Sequence, residues 1–133
     1  MTRTEARNEA FILVFEKIFS NESVEDIISL ATDSRDFEMD NDGYIINAFK
    51  GVYENAYELD GIIEKYLTNW TIDRLNKVDQ AILALGIYEL MYTETPSVVA
   101  INEAIELSKL YSDESVTKMI NGVLDKVYHE EEK

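Results

Sequence analysis

The sequence predicts an all-α fold, and three observations carry that prediction. Apolar residues recur at spacings of three and four along nearly the whole chain. One proline and five glycines leave little to punctuate strands. The stretch from Val78 to Tyr92, VDQAILALGIYELMY, is apolar on every side of a helical cylinder, with only Asp79, Gln80 and Glu89 strongly polar. A helix apolar all round is either the hub of a bundle or a membrane span. This one falls short of the roughly 20 apolar residues that a span requires, so it is read as the hub. One acid stands out on it: Leu83, Gly86 and Leu90 project within roughly 40° of Asp79.

The elements follow from caps and periodicity. Thr2, with Glu5 three residues on, makes a capping box for a first helix reaching about Phe19. Its apolar face includes Ala6, Ala10, Phe11, Leu13, Val14 and Ile18, with Phe15 at the margin. Ser23 caps a short helix through Ala31, and residues 32–42 form a polar connection. A long helix is expected from about Asp42 to Glu58, carried by Ile45, Ala48, Phe49, Val52, Ala56 and Leu59. Asp60 is then expected to cap a further helix with Ile62, Ile63, Tyr66 and Leu67. Residues 71–75 make about one turn before the hub. Pro96 suits the start of the next helix, Val98 to Tyr111. Ser112 is the expected cap of a last helix striped by Val116, Met119, Ile120, Val123, Leu124 and Val127. Gly86 and Gly122 are both mid-helix, where each would permit a close approach of another segment.

Length and composition narrow the function. A chain of 133 residues is one domain able to bury a core without staples. It has no cysteine, which excludes disulfides, thiolate zinc and a cysteine nucleophile. The start, MTRTEARNEAF, lacks the basic-then-apolar pattern of a signal peptide, so a soluble cytoplasmic protein with no membrane association is expected. Aspartate and glutamate number 27 against 12 lysines and arginines, for a net charge of −15. That field repels nucleic acid and favours basic partners.

The residues suggest four kinds of site. Glu38, Asp40, Asp42 and Gly43, followed by Ile45, imitate half of a calcium loop. The position that should carry a bidentate glutamate is Phe49, and the plainer reading is an acidic entry to a helix N-terminus. For catalysis, the lone histidine, His129, lies in a charged tail, and no nucleophile elbow or glycine-rich phosphate loop is present. Glu103 and Glu106 lack the Glu-x-x-His companion of a di-metal bundle site, and Glu106 is better explained as the ion-pair partner of Lys109. No catalysis, metal or cofactor is expected. For nucleic acid, Arg3 and Arg7 share a helix face near an N-terminus and Lys118 could join them; composition favours a solvated face. For protein binding, Asp79 is either a contact residue or a first-turn acid complementing the helix dipole, in which case changing its charge would cost roughly 0.3–1 kcal/mol.

Longer motifs then bear on the choice. Asp73-Arg74-Leu75-x-x-Val78-Asp79-x-Ala81-Ile82-Leu83 runs into Ala84-Leu85-Gly86-Ile87-Tyr88-Glu89-Leu90. Val99-Ala100-Ile101-Asn102-Glu103-Ala104-Ile105-Glu106-Leu107-Ser108-Lys109 and Asn121-Gly122-Val123-Leu124-Asp125-Lys126 follow. Together with Ala6-Arg7-x-x-Ala10 and Ala56-Tyr57-x-Leu59-Asp60, these segments resemble the NusB family of bacterial transcription antitermination factors, in order and over essentially the whole chain. The resemblance implies one NusB-like domain over residues 1–133, built of about seven helices in two packed bundles, about 1–70 and about 71–133. It implies a non-enzymatic monomer or homodimer that pairs with NusE, a small-subunit ribosomal protein. The pair would bind boxA-type RNA within the RNA polymerase antitermination complex and assist ribosomal RNA transcription.

On the residues, the resemblance places RNA contacts at Arg3, Arg7, Tyr66, Lys118 and Met119, and partner contacts at Phe15 and Asp79. The chain departs from the family at Thr2, Thr4 and Glu5, where basic residues are usual. It departs also at Met119, where an aromatic is common, and at Ser115, where an acid can stand. Fewer phosphate contacts in a repulsive field imply weak RNA binding by the protein alone, with the basic partner supplying charge. The alternative is a protein-only adaptor or self-associating scaffold in which RNA binding has decayed.

Overall fold

In the computed structural model, residues 1–34, 43–67 and 71–131 are described. Among them are seven α-helices and one 3-10 turn. The helices are α1 (Arg3–Ile18), α2 (Val24–Ser34), α3 (Tyr44–Glu54), α4 (Ala56–Tyr66), α5 (Lys77–Tyr92), α6 (Ser97–Tyr111) and α7 (Glu114–Glu131), with the turn at Ile72–Arg74. The acids Glu38, Asp40 and Asp42 of the calcium-like motif lie outside the described residues.

The chain divides into two compact units, Met1–Glu54 and Asn55–Lys133. The expected boundary lies near residue 70; within the second unit α4 packs on α5 and α7. The expected long helix is in fact two. It breaks at Asn55 (φ −113°, ψ 18°), and Asp60 lies inside α4 instead of capping it. Val52, Ala56 and Leu59 keep helical spacing across the break, so periodicity alone gives no sign of it.

In the first unit, α1 begins at the predicted capping box: the Thr2 hydroxyl accepts from the Glu5 amide at 3.1 Å and a Glu5 carboxylate oxygen accepts from the Thr2 amide at 2.7 Å. Ser23 caps α2 through the Asp26 amide at 3.1 Å, and α2 runs one turn past Ala31 to Ser34. Phe11, Leu13, Ile45 and Phe49 are the largest buried side chains here, and each contributes about 1.5–3 kcal/mol by leaving water. The Tyr53 hydroxyl donates to the Val14 carbonyl at 2.7 Å and pins α3 to α1.

In the second unit α5 is the hub. It packs against α4, α6 and α7, and Ala81, Ile82, Leu83, Leu85, Ile87 and Leu90 are all buried. Asn76 caps it by accepting from the Val78 amide at 2.9 Å. The close approach inferred at Gly86 is present: a Cβ there would lie 3.2 Å from both Leu124 methyls and 3.5 Å from the Ala104 Cβ. The same inference fails at Gly122, where a Cβ would meet nothing within 4 Å.

Candidate nucleic-acid and partner interface

The first unit carries Arg3, Arg7 and Phe15. Arg3 and Arg7 share one stripe of α1, as their spacing requires, and the stripe faces Tyr44 at the start of α3. The Arg3 guanidinium lies 4.3 Å from the Tyr44 ring centroid and that of Arg7 lies 5.6 Å away, within the range of cation–π attraction. Arg3 is exposed, whereas Arg7 is only 3% exposed. Arg7 therefore departs from the expected surface phosphate contact. It falls next to Ala6 on the side of α1 that the core covers, which the i, i+4 spacing does not reveal. Phe15 is half-buried between Phe11 (6.1 Å, stacked) and Phe19 (5.1 Å, edge-on), and Phe19 is exposed. The three form an aromatic line along α1.

The second unit carries Tyr66, Asp79, Lys118 and Met119. Asp79 is 3% exposed, and its Oδ1 accepts from the Ser112 hydroxyl at 2.7 Å. This corrects two expectations at once. Asp79 is not an open contact residue, and Ser112 ends α6 and binds Asp79 instead of capping α7. The bond ties the first turn of α5 to the turn between α6 and α7. Burial pushes the Asp79 carboxyl above the usual aspartate range; the Ser112 hydrogen bond pulls the other way, and the Asp113 charge adds to the rise.

Lys118 is exposed on α7 and lines a cleft of about 740 Å³ with Lys109, Glu114, Ser115 and Thr117. Lys109 pairs with Glu106 at 3.3 Å, as the sequence suggested. Met119 is half-buried beside Lys118. The Thr117 hydroxyl meets that of buried Ser108 at 2.9 Å and fixes the start of α7 on α6.

Tyr66 is at the other end of α7. Its hydroxyl donates to Glu131 Oε2, and Lys65 Nζ donates to the same oxygen at 2.8 Å. Tyr66 and Lys118 are thus not neighbours: the thirteen residues from Lys118 to Glu131 span about 20 Å of helix. Sequence reasoning missed Lys65, Glu131 and Tyr44. No local pattern joins positions so far apart, although the acidic tail itself is visible as a run. Among the described residues, no cluster of three or more histidine, aspartate or glutamate side chains could hold a metal ion. His129 pairs with Asp125 at 3.4 Å on the surface of α7.

These features describe an all-helical binding protein, with cationic and aromatic side chains set on helix surfaces. The profile of the NusB family matches residues 4–129, and the chain belongs to that family. It is similar to the transcription antitermination protein NusB of Listeria innocua, 41% identical over 98% of this chain and 99% of the relative. That of Acetivibrio thermocellus is also 41% identical, over 96% and 88%. Among solved structures, T. maritima NusB superposes with a TM-score of 0.84 at 32% identity, covering 98% of this chain and 92% of that one. A structure of antitermination factors NusB and NusE in complex with double-stranded RNA superposes with a TM-score of 0.81 at 28% identity, over 97% and 98%.

Proposed function

We propose that this protein is a transcription antitermination factor that pairs with NusE and binds boxA-type RNA, assisting ribosomal RNA transcription by the RNA polymerase antitermination complex. The observation that carries this reading is the likeness, over 97% of the chain, to a NusB captured with both NusE and RNA. It acts by binding, without catalysis or cofactor, and we place it in the cytoplasm with its RNA; no described helix is long and apolar enough to cross a membrane.

Arg3, Tyr66 and Lys118 are assigned to RNA contact, with Met119 beside Lys118. Arg7 supports Arg3 from behind through the shared Tyr44 ring. Phe15 and the exposed Phe19 form the partner surface of the first unit. Asp79 serves the partner surface of the second unit indirectly, by fixing the Ser112–Asp113 turn. A protein of net charge −15 meets RNA weakly on its own, and a basic ribosomal partner changes the sign of the local field.

The test is binding of a boxA-like RNA at physiological salt, with and without NusE. Tight binding is expected only for the pair, and charge reversal at Arg3 and Lys118 is expected to abolish the ternary complex while leaving the protein pair intact. Tight, sequence-specific binding by the isolated protein would refute the coupling. No effect of the reversals would favour a protein-only adaptor.

A further inference from the structure

We propose that Lys65 and Tyr66 form a second RNA phosphate site, and that Glu131 of the same chain occupies it in the free protein as a competing anion. The proposal rests on the RNA-binding reading above. Its basis is convergence. Lys65 Nζ and the Tyr66 hydroxyl do not take separate oxygens of the carboxylate; both donate to Oε2. Two donors, one of them charged, aimed at one anionic oxygen form the arrangement that a non-bridging phosphate oxygen requires. The donors are adjacent residues in the last turn of α4, so one rigid element sets their spacing. Lys65 Nζ lies over the Tyr66 ring, 5.2 Å from its centroid, and this cation–π contact holds the ammonium beside the hydroxyl.

Protonation states suit the exchange. Hydrogen bonds from Lys65 and then Tyr66 hold the Glu131 carboxyl below the usual glutamate range, so the occupant is an anion. The Glu131 hydrogen bond, with desolvation behind it, holds the Tyr66 hydroxyl above its ordinary range, so it stays a donor. The Lys65 side chain is 62% exposed and that of Glu131 22%, so the site is open to a ligand from solution. An exposed ion pair contributes little in water. A polyanion already anchored near Lys118 presents its next phosphates at high effective concentration and can displace the carboxylate.

A purely structural staple between α4 and α7 makes the opposite prediction, which fixes the experiment. The NusE-bound protein is titrated with single-stranded boxA-type RNA over a series of salt concentrations. Glu131→Ala is expected to tighten binding about two- to fivefold. Its salt slope is expected to match that of the unmutated protein, because RNA displaces the carboxylate there and meets the same phosphates in both. Glu130→Ala removes the same charge from the neighbouring exposed position and is expected to give a smaller gain with an unchanged slope. Lys65→Ala is expected to weaken binding and, combined with Glu131→Ala, to cancel the gain. Unchanged or weaker RNA binding by Glu131→Ala, or a gain matched by Glu130→Ala, overturns the proposal while leaving the RNA-binding reading in place. If the unmutated pair binds no RNA, the reading itself falls and the proposal with it.

Discussion

Asp79 shows how a single residue can be placed on a helix face by sequence while its bonding partner is not. Its angular position beside Leu83, Gly86 and Leu90 puts it on a face otherwise small or apolar, and the structure buries all four. With its folded pKa raised, the unfolded chain releases this proton first as pH rises. Its contribution to stability is therefore largest below the ordinary aspartate range and falls as pH climbs through the raised folded value. Asp79→Asn keeps an oxygen for Ser112 and removes the ionisation. Urea midpoints measured across pH are expected to favour the variant increasingly over that window, whereas a variant less stable at neutral pH would assign the charge a stabilising role. The two mid-helix glycines give a paired prediction. Gly122→Ala meets open space and gains helix propensity, a stabilisation of about 0.5–1 kcal/mol. Gly86→Ala gains the same propensity but sets a Cβ 3.2 Å from both methyls of the fully buried Leu124, which must shift to admit it. Overpacking of about 1–3 kcal/mol then outweighs the gain and leaves a net loss. Thermal unfolding of both variants decides the sign.

At the scale of elements, helix ends set what the packing can use. Asn76→Ala leaves the Val78 amide without its cap and is expected to cost about 0.5–2 kcal/mol, read as a lower urea midpoint. The hub it starts contacts three other helices, so the loss is felt as global stability rather than local fraying. The α1 capping box behaves differently because Glu5 titrates. Its carboxyl lies below the usual glutamate range, held there by the Thr2 amide and hydroxyl. That contribution is present above the ordinary glutamate range and lost as pH falls through the lowered folded value. Amide exchange in the first turn of α1 is expected to quicken on acidification, and Glu5→Gln is expected to blunt the change.

For the whole molecule, charge outweighs any one contact. A net charge of −15 on a chain of this size destabilises the compact state through self-repulsion. Raising ionic strength from a few millimolar to about 0.15 M shortens the screening length to about 8 Å. The melting temperature at neutral pH is expected to rise accordingly; a fall would mean that favourable ion pairs outweigh the repulsion.

Most of the helical architecture is legible in the sequence. Apolar spacing locates the helices, Thr2 and Ser23 stand at their starts, and Val78 to Tyr92 declares itself the hub, because local propensity and periodicity act over a few residues and are written there. The long motifs also carried the family. Contacts between distant residues belonged to the tertiary structure alone. The break at Asn55 carries no sign in the apolar spacing, which continues across it. Burial of Arg7, the Asp79–Ser112 bond and the meeting of Lys65 and Tyr66 on Glu131 join positions that no periodicity relates. Whether a polar side chain on a helix meets water, a ring or another chain depends on what packs over it, and only the folded arrangement decides that.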